Sequence, residues 1–139
     1  MSTTYGNKHT YLGMDLTIEN GEITIDMKEY LKECIVAYGE GINSATKTPG
    51  MKNLLNVNKE SPALSTKKAE TFHHIIGKLL YVAKRARLDI LPAVMFMCRR
   101  VKSPTEQDWV KLKRLLQYIN GTIDMTRTLS IQNFSEMLI

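Results

Sequence analysis

His73, Gly77 and Tyr81 recur at intervals of four residues in a stretch that also carries basic side chains. Residues four positions apart lie on one face of an α-helix. The basic side chains that flank this row are those of Lys78, Lys84 and Arg85. Cationic groups beside one helix face could bind phosphates, so the first chemistry to consider is the binding of a nucleic acid.

Gly77 is the informative residue of this row. A glycine inside a helix costs about 1 kcal/mol relative to alanine, so its presence predicts a close approach by another backbone. That backbone could belong to a neighbouring helix or to a nucleic-acid strand. The pattern alone favours helix packing, and both interpretations stay open at this point.

The basic residues are concentrated in the second half of the chain. Residues 1–70 hold eight Lys or Arg and nine Asp or Glu, whereas residues 71–139 hold eleven and five. This asymmetry is expected of a surface that faces phosphates. A solvated helix face also carries excess Lys and Arg, so composition alone does not decide between the two.

The sequence contains no recognisable motif for catalysis or for binding a metal or a cofactor. Its five aspartates are isolated from one another, and it has no glycine-rich phosphate loop or nucleophile motif. The two cysteines and three histidines lack metal-ligand spacing, so the cysteines are interpreted as core residues in a reducing compartment. No apolar run suits a membrane span or a signal peptide. We therefore expect no catalytic residues, metal, cofactor or membrane contact, and an intracellular location, cytoplasmic or nuclear.

The elements that must position the row begin with a predicted β-hairpin. Alternating apolar residues predict a half-buried strand over 11–18, and Asn20-Gly21 predicts a type I′ turn into a second strand. A helix should follow directly, with Asp26 accepting from its first backbone N–H groups and Gly39 as its left-handed C-cap.

The second half predicts three helices with short connections, which would form a small bundle. The expected caps are Ser65 or Thr66 for the first helix, Asp89 for the second, and Ser103 followed by Pro104 for the third. The predicted fold class is therefore α+β, with an N-terminal β-hairpin, a helix and then a mainly α-helical three-helix bundle. The predicted divisions are residues 1–40, a linker at 41–65, the bundle at 66–122, and a tail at 123–139 that could form an edge strand.

Five blocks of the sequence occur in an order that resembles one known family. They are "YLGMDL", the helix after it, "TPG", "FHHIIGKLLYVAKRARLDI" and "SPTEQDWVKLKRLLQYINGT". Together they resemble the C-terminal part of the copia-type LTR-retrotransposon reverse transcriptase, within the Pol polyprotein. In that family a catalytic Tyr-x-Asp-Asp motif lies upstream and a ribonuclease H domain lies downstream, and this chain has neither. The resemblance implies a fragment between two active sites, without polymerase activity of its own.

The resemblance also implies roles for particular residues. "YLGMDL" corresponds to the primer-grip hairpin, where Leu12, Gly13 and Met14 would hold a primer terminus. The three helices correspond to the thumb, whose first helix follows the minor groove of the template-primer duplex, and this reverses the preference for helix packing at Gly77. The residues assigned to the groove or its phosphates are His73, Gly77, Lys78, Tyr81, Lys84, Arg85 and Arg87. Weaker candidates for phosphate contact are Arg99, Arg100, Lys102, Lys111, Lys113 and Arg114.

These observations predict weak, sequence-independent binding of an RNA–DNA or DNA duplex. The alternative is a protein-interaction module that docks on the remainder of a polymerase, or on a second copy, through the hairpin edge and its apolar side chains. A third interpretation is a non-functional remnant of a decayed element. Two departures from the family pattern bear on these alternatives: Leu88 stands where proline is common, which could soften a kink between helices, and residues 131–139 do not continue into an acidic ribonuclease H strand.

Overall fold

The computed structural model describes residues 8–39, 41–42, 57 and 59–138. Its strands are Lys8–Tyr11 (β1), Met14–Glu19 (β2), Glu22–Asp26 (β3) and Arg127–Ser130 (β4). Its helices are Lys28–Tyr38 (α1), Thr66–Arg85 (α2), Leu91–Cys98 (α3), Glu106–Gly121 (α4) and Ile131–Leu138 (α5), with a 3₁₀ turn at Leu88–Ile90. The predicted α+β class is confirmed, with α2, α3 and α4 as the three expected helices.

Two tight turns connect the first three strands. Asn20 and Gly21 both have positive φ, 52° and 78°, which confirms the predicted turn between β2 and β3. The prediction of one strand over 11–18 is wrong, because Leu12 and Gly13 also have positive φ, 49° and 83°, and form a turn between β1 and β2. The sequence hid this turn because leucine rarely adopts such a φ.

The chain itself completes the sheet that contains the hairpin. The strand order is β1-β2-β3-β4, and each neighbouring pair is antiparallel. The weakly alternating segment near the C-terminus forms the edge strand β4. Met14 is 0% exposed and Leu16 is 7% exposed, so the apolar side of β2 is covered. The expected docking face consisted of Leu12, Met14, Leu16 and Ile18. It is corrected for Met14 and Leu16, whereas Leu12 is 63% exposed and Ile18 is half-buried.

The signals predicted at both ends of α1 are confirmed. The Asp26 carboxylate accepts a 2.8 Å hydrogen bond from the backbone N–H of Lys28, the first helical residue. Gly39 has a φ of 82° and ends the helix in the left-handed conformation. The buried residues of this helix are Leu31, Cys34 and Tyr38.

The caps of α2 and α3 differ in how well the sequence predicted them. The Ser65 side chain accepts a 3.3 Å hydrogen bond from the backbone N–H of Lys68, so α2 begins at the predicted cap. Asp89 is not the cap of α3, since the N-cap residue is Ile90 and makes no side-chain capping bond. The 3₁₀ turn at 88–90 separates the two helices, so Leu88 does not remove the break between them.

Helix α4 begins two residues later than a Ser103 cap predicts. Its N-cap is Thr105, whose side chain accepts from the backbone N–H of Asp108, while the Asp108 side chain accepts from the backbone N–H of Thr105. This reciprocal pair is a capping box. Thr105 is extended and bridges to Ala63 in an antiparallel manner, so a contact from a distant segment accompanies the local capping box at the helix start.

One hydrophobic cluster joins the sheet and the helices. It includes Met14 of β2, Leu31 of α1, Phe72 of α2, Leu115 of α4 and Phe134 of α5. The predicted division of the chain at 41–65 stays a prediction, because much of that segment, with the "TPG" block, lies outside the described residues. In the part of the chain that the structure describes, no helix is long and apolar enough to cross a membrane.

Candidate functional site

The exposed side of α2 carries the predicted row. His73, Gly77 and Lys84 are exposed. The buried residues of the same helix are Phe72, Ile75, Ile76, Leu79, Val82 and Ala83. A Cβ added to Gly77 would meet no described atom within 4 Å beyond its own helix. The helix-packing interpretation of Gly77 is therefore wrong for the described residues, none of which covers the surface above Gly77.

Lys78 lies where this surface borders α1. Its Nζ is 3.1 Å from Glu33 Oε2 and 5.3 Å from the centroid of the Tyr30 ring. The hydrogen bond to Glu33 raises the pKa of Lys78 above its ordinary value. Burial raises the pKa of Tyr30, against the opposing effect of the Lys78 charge. Lys78 therefore connects α2 to α1, and its charge is already partly balanced.

Tyr81 connects the same surface to the turn between β1 and β2. Its hydroxyl donates a 2.6 Å hydrogen bond to the carbonyl oxygen of Leu12. The ring centroids of Tyr81 and Tyr30 are 5.4 Å apart. The guanidinium carbon of Arg85 lies 3.8 Å from the Tyr81 ring centroid. Arg85 Nη1 also donates to the backbone carbonyl of Tyr81 at 3.1 Å. The predicted primer-grip turn and the predicted groove-facing row are thus adjacent.

The three residues of the predicted primer grip have different surroundings. Gly13 has a φ of +83°, which favours glycine, and a Cβ at this position would lie 3.0 Å from Tyr30 Cδ2, so the Tyr30 ring would have to shift slightly to admit a larger residue. The Met14 side chain is buried, with 0% exposure, and cannot reach a ligand. The Leu12 side chain is 63% exposed and projects from the turn.

Arg87 does not belong to this surface. It is 1% exposed, and its Nη2 donates to Asp89 Oδ2 at 2.9 Å and to Thr122 Oγ1 at 2.6 Å. The Tyr118 hydroxyl donates to the same carboxylate at 2.6 Å. Burial raises the pKa of Asp89, but the hydrogen bonds from Arg87 and Tyr118 outweigh it, so the pKa lies below its ordinary value. The assignment of Arg87 to a phosphate is corrected: a buried guanidinium requires a paired carboxylate, and here it ties the segment after α2 to the end of α4.

Two of the six weaker candidates are also committed to internal contacts. Arg100 Nε donates to both oxygens of the buried Asp108 carboxylate, each at 3.1 Å. Lys111 is 2% exposed, its Nζ lies 4.9 Å from the Phe96 ring centroid, and burial lowers the pKa of Lys111. Of the remaining four, Arg99 and Lys102 are exposed and Lys113 and Arg114 are half-buried.

A groove beside His73 adds a cation from outside α2. Glu70 and His73 of α2 line this groove together with Val101 and Lys102 from the segment before α4. Lys102 therefore lies near the N-terminal half of the exposed row, while Lys84 lies near its C-terminal end. We call the surface formed by His73, Gly77, Lys84 and Lys102 the α2 face.

Sequence reasoning missed the residues of α1 that border this face. Tyr30 contacts Tyr81, and Glu33 binds Lys78 from 45 positions away. Tyr30 recurs with Met27, Leu31 and Cys34 at helical spacing, a pattern typical of core residues. No local pattern pairs α1 with α2.

The acidic residues do not assemble a metal centre in the described part of the chain. Asp15 and Asp26 are opposite each other on β2 and β3, but Asp26 accepts from the backbone N–H of Lys28 at the start of α1, and Asp15 accepts from the Thr10 hydroxyl. Among the described residues, no group of three His, Cys, Asp or Glu side chains could hold a metal ion.

Comparison with known proteins finds relatives of modest identity. The chain is 28% identical over 118 residues to the uncharacterized mitochondrial protein AtMg00810 of Arabidopsis thaliana. This match covers 85% of this chain and 48% of the relative. It is 26% identical over 121 residues to the Saccharomyces cerevisiae protein YCL074W, whose name assigns it to transposon Ty5-1. That match covers 86% of this chain and 39% of the relative. The chain thus spans less than half the length of these two curated relatives.

No family model matches the chain. No solved structure matches it significantly. The chain is therefore similar, at modest identity, to a protein whose name assigns it to a transposon.

Proposed function

We propose that this chain derives from the reverse transcriptase of a copia-type retrotransposon and that its α2 face binds duplex nucleic acid without regard to sequence. The relative named for transposon Ty5-1 supports the origin, as does the order of the sequence blocks. The observation that carries the binding proposal is the open surface over Gly77, with no described atom within 4 Å of the missing Cβ beyond its own helix.

The contacts available on this face suit a duplex. Gly77 lets a sugar-phosphate backbone approach the helix closely, and Lys84 and Lys102 can meet phosphates. Phosphate contacts position a protein and carry no sequence information. The wide, shallow minor groove of an A-like duplex suits recognition by such a helix surface. The bound partner is therefore a template-primer duplex, either RNA–DNA or DNA.

Fluorescence anisotropy with a labelled RNA–DNA hybrid tests this proposal. For two or three phosphate contacts, the affinity should fall about 10- to 40-fold between about 50 and 200 mM salt. Gly77→Glu places a carboxylate on the open surface and should weaken binding about tenfold or more, because like charges repel at the closest approach.

A matched pair of charge reversals locates the contact. Lys84→Glu changes a lysine on the α2 face, whereas Lys8→Glu changes an exposed lysine of β1, which lines the outward face of the sheet. Lys84→Glu should weaken binding several-fold more than Lys8→Glu. Equal losses in the two variants contradict the proposal. An unmodified chain that binds no hybrid at low salt also contradicts it, and agrees with a non-functional remnant.

We also propose that the chain alone has no polymerase or nuclease activity. The family's adjacent metal-binding aspartates have no counterpart in its sequence. Primer extension and RNA cleavage assays with Mg²⁺ or Mn²⁺ test this, and metal-dependent extension by the purified chain contradicts it. The catalytic aspartates would have to come from the remainder of a polymerase.

The alternative function, a protein-interaction module at the hairpin, retains one supporting observation. β1 is at an edge of the sheet and pairs with β2 alone among the described strands, so its outer side could accept another strand. Light scattering discriminates between the two functions. A measured mass of two chains favours the interaction module, and a measured mass of one chain excludes self-association through the hairpin.

A further inference from the structure

We propose that β1 pairs with β1 of a second copy of this chain, antiparallel and centred on His9, so that the two four-stranded sheets join into one. This inference gives the interaction-module alternative a defined partner and a defined register. It rests on the edge of the sheet and involves none of the residues of the α2 face.

The free side of β1 carries the backbone groups of two residues. The turn between β1 and β2 has a two-residue loop, and both loop residues have positive φ. In such a hairpin the residues that flank the loop, here Tyr11 and Met14, form a hydrogen-bonded pair. Because such pairs alternate along a strand, His9 also faces β2, whereas the N–H and C=O groups of Lys8 and Thr10 point away from it. No described strand pairs with this side of β1.

A register centred on His9 uses both of these residues. Thr10 then lies opposite Lys8 of the second copy, and each such pair exchanges both of its N–H···O bonds. A register centred on Lys8 would instead place like charges opposite each other. A register centred on Thr10 would need the backbone of Leu12, which has a φ of 49° and belongs to the turn. The free edge therefore favours the His9 register.

The charges on the outward face of the sheet leave an imbalance at this edge. Thr10, Asp15 and Asp26 lie side by side on β1, β2 and β3. Like charges on directly opposite residues are unfavourable. No ion pair within the described part of the chain involves either carboxylate, although Lys8 lines the same surface cavity. The two aspartates therefore lack a paired cation among the described residues.

Lys8 of a second copy would extend this row beyond Thr10. Neighbouring strands lie about 4.8 Å apart, so the Cα atom of this lysine would be about 10 Å from that of Asp15, a distance that the two side chains can bridge. The second copy thus brings a cation to the two carboxylates, and the two-fold symmetry of a dimer forms the same ion pair twice. This charge complementarity points to a second copy as the strand that occupies the edge.

Apolar surface on the helix side of the sheet adjoins the same edge. Tyr11 is opposite the buried Met14, and a groove of about 350 Å³ is lined there by Tyr11, Ile18 and Leu138, among others. Tyr11 is 47% exposed and Leu138 is 44% exposed. Two such grooves meet across the proposed contact between the β1 strands, so dimerisation removes part of this apolar surface from water.

Sedimentation equilibrium of the full chain over a series of concentrations tests the inference. The mass should rise from one chain towards two as the concentration increases. Lys8→Glu places a carboxylate beside Asp15 of the second copy and should weaken dimerisation about tenfold or more. Asp15→Lys should weaken it similarly, because two lysines then meet. The variant with both changes exchanges the two charges and should recover the affinity to within about threefold, since coupled residues are not additive.

A second pair of variants tests the backbone contact. Thr10→Pro removes an N–H that no described strand uses, and an edge strand tolerates proline on its free side. Thr10→Val also removes the hydroxyl but keeps the N–H. Dimerisation should be lost in Thr10→Pro and retained in Thr10→Val. Thermal unfolding of every variant shows whether the fold persists.

A mass of one chain at every concentration overturns the inference. A dimer that Lys8→Glu and Thr10→Pro leave unchanged also overturns it, because another surface would then form the contact. Failure of the exchanged variant to recover affinity overturns the His9 register.

The proposed function fails or stands separately. Lys84→Glu lies on the α2 face and should leave dimerisation unchanged while it weakens binding of the RNA–DNA hybrid. Hybrid binding by a chain that stays monomeric overturns this inference and leaves the proposed function standing. A dimer that binds no hybrid supports this inference and contradicts the proposed function.

Discussion

The Tyr81 hydroxyl donates a 2.6 Å hydrogen bond to the carbonyl oxygen of Leu12, although the two residues are 69 positions apart. This bond joins a turn of the sheet to the exposed side of α2. Two regions that the sequence suggested for different reasons, a hairpin and a helix face, are therefore neighbours. The turn between β1 and β2 therefore lies beside the α2 face.

Gly13→Ala should destabilise the protein more than Gly21→Ala. Both glycines have positive φ, 83° and 78°, so an alanine costs about 1–2 kcal/mol at either position. A Cβ at Gly13 also lies 3.0 Å from Tyr30 Cδ2, whereas nothing lies within 4 Å at Gly21. We expect this crowding to add about 1 kcal/mol to the loss at Gly13. Urea unfolding of the two variants measures the difference, and equal losses would argue against contact between the turn and Tyr30.

Gly77→Ala should stabilise the protein and weaken its binding of a duplex. Alanine is favoured over glycine in a helix by about 1 kcal/mol, and no described atom beyond the helix lies within 4 Å of the new methyl group. The same methyl group occupies space that a nucleic-acid backbone would need. Thermal unfolding of the variant measures the change in stability, and titration of the same sample against the labelled RNA–DNA hybrid measures the change in affinity. A lower melting temperature would indicate that Gly77 is covered, contrary to the open surface.

Asp89→Asn should remove a pH-dependent part of the stability. Burial raises the pKa of Asp89, but hydrogen bonds from Arg87 and Tyr118 outweigh it and lower the pKa in the folded chain. A carboxylate with a lowered folded pKa stabilises the fold above its unfolded pKa of about 3.9, and this stabilisation is lost as the pH falls through the folded value. The unmodified chain should therefore lose stability below about pH 4 more steeply than the variant.

At pH 7 the same variant should be less stable by about 2–3 kcal/mol, because Arg87 keeps its charge at 1% exposure without a carboxylate partner. Asp124→Asn is the matched control. The Asp124 ion pair with Lys28 lies on the surface, with the aspartate side chain 82% exposed, so its loss should have little effect at pH 7. Urea unfolding between pH 3 and pH 7 compares the two variants. Similar losses at pH 7 would contradict an internal role for Arg87.

Thr105→Ala should destabilise the protein by about 1 kcal/mol, while Ser103→Ala should change it by less than about 0.5 kcal/mol. The reason is that Thr105 is the N-cap of α4 and accepts from the Asp108 backbone N–H. Chemical denaturation of both variants decides which residue caps the helix. A larger loss of stability in Ser103→Ala than in Thr105→Ala would indicate that Ser103 is the N-cap of α4.

Features that act between close neighbours in the chain were predictable. Four such features are the Asn20-Gly21 turn, the hydrogen bond from the Lys28 N–H to Asp26, the Gly39 terminus and the Ser65 cap, and each depends on residue types within a few positions. Their chemistry is local, because a backbone N–H or a positive φ is satisfied by a side chain or a glycine nearby.

Features that depend on distant partners were not predictable. The turn at Leu12 and Gly13 was hidden because leucine rarely adopts a positive φ, and Tyr81 and Tyr30 contact this turn from other elements. The start of α4 combines a local capping box between Thr105 and Asp108 with a bridge from the distant Ala63. In each case a contact from another element accompanies a weak or competing local signal.

Residue types and spacings were sufficient to predict the α+β class, the buried and exposed sides of the helices, and the exposure of His73 and Gly77. Tertiary structure alone decided which cations are available to a ligand, since it buries Arg87 against Tyr118 and Thr122 at the end of α4 and leaves Lys84 exposed. The physical reason is that a basic side chain is either solvated or paired according to which carboxylates and apolar groups the fold brings to it. That arrangement depends on the packing of elements far apart in the chain, which no local pattern encodes.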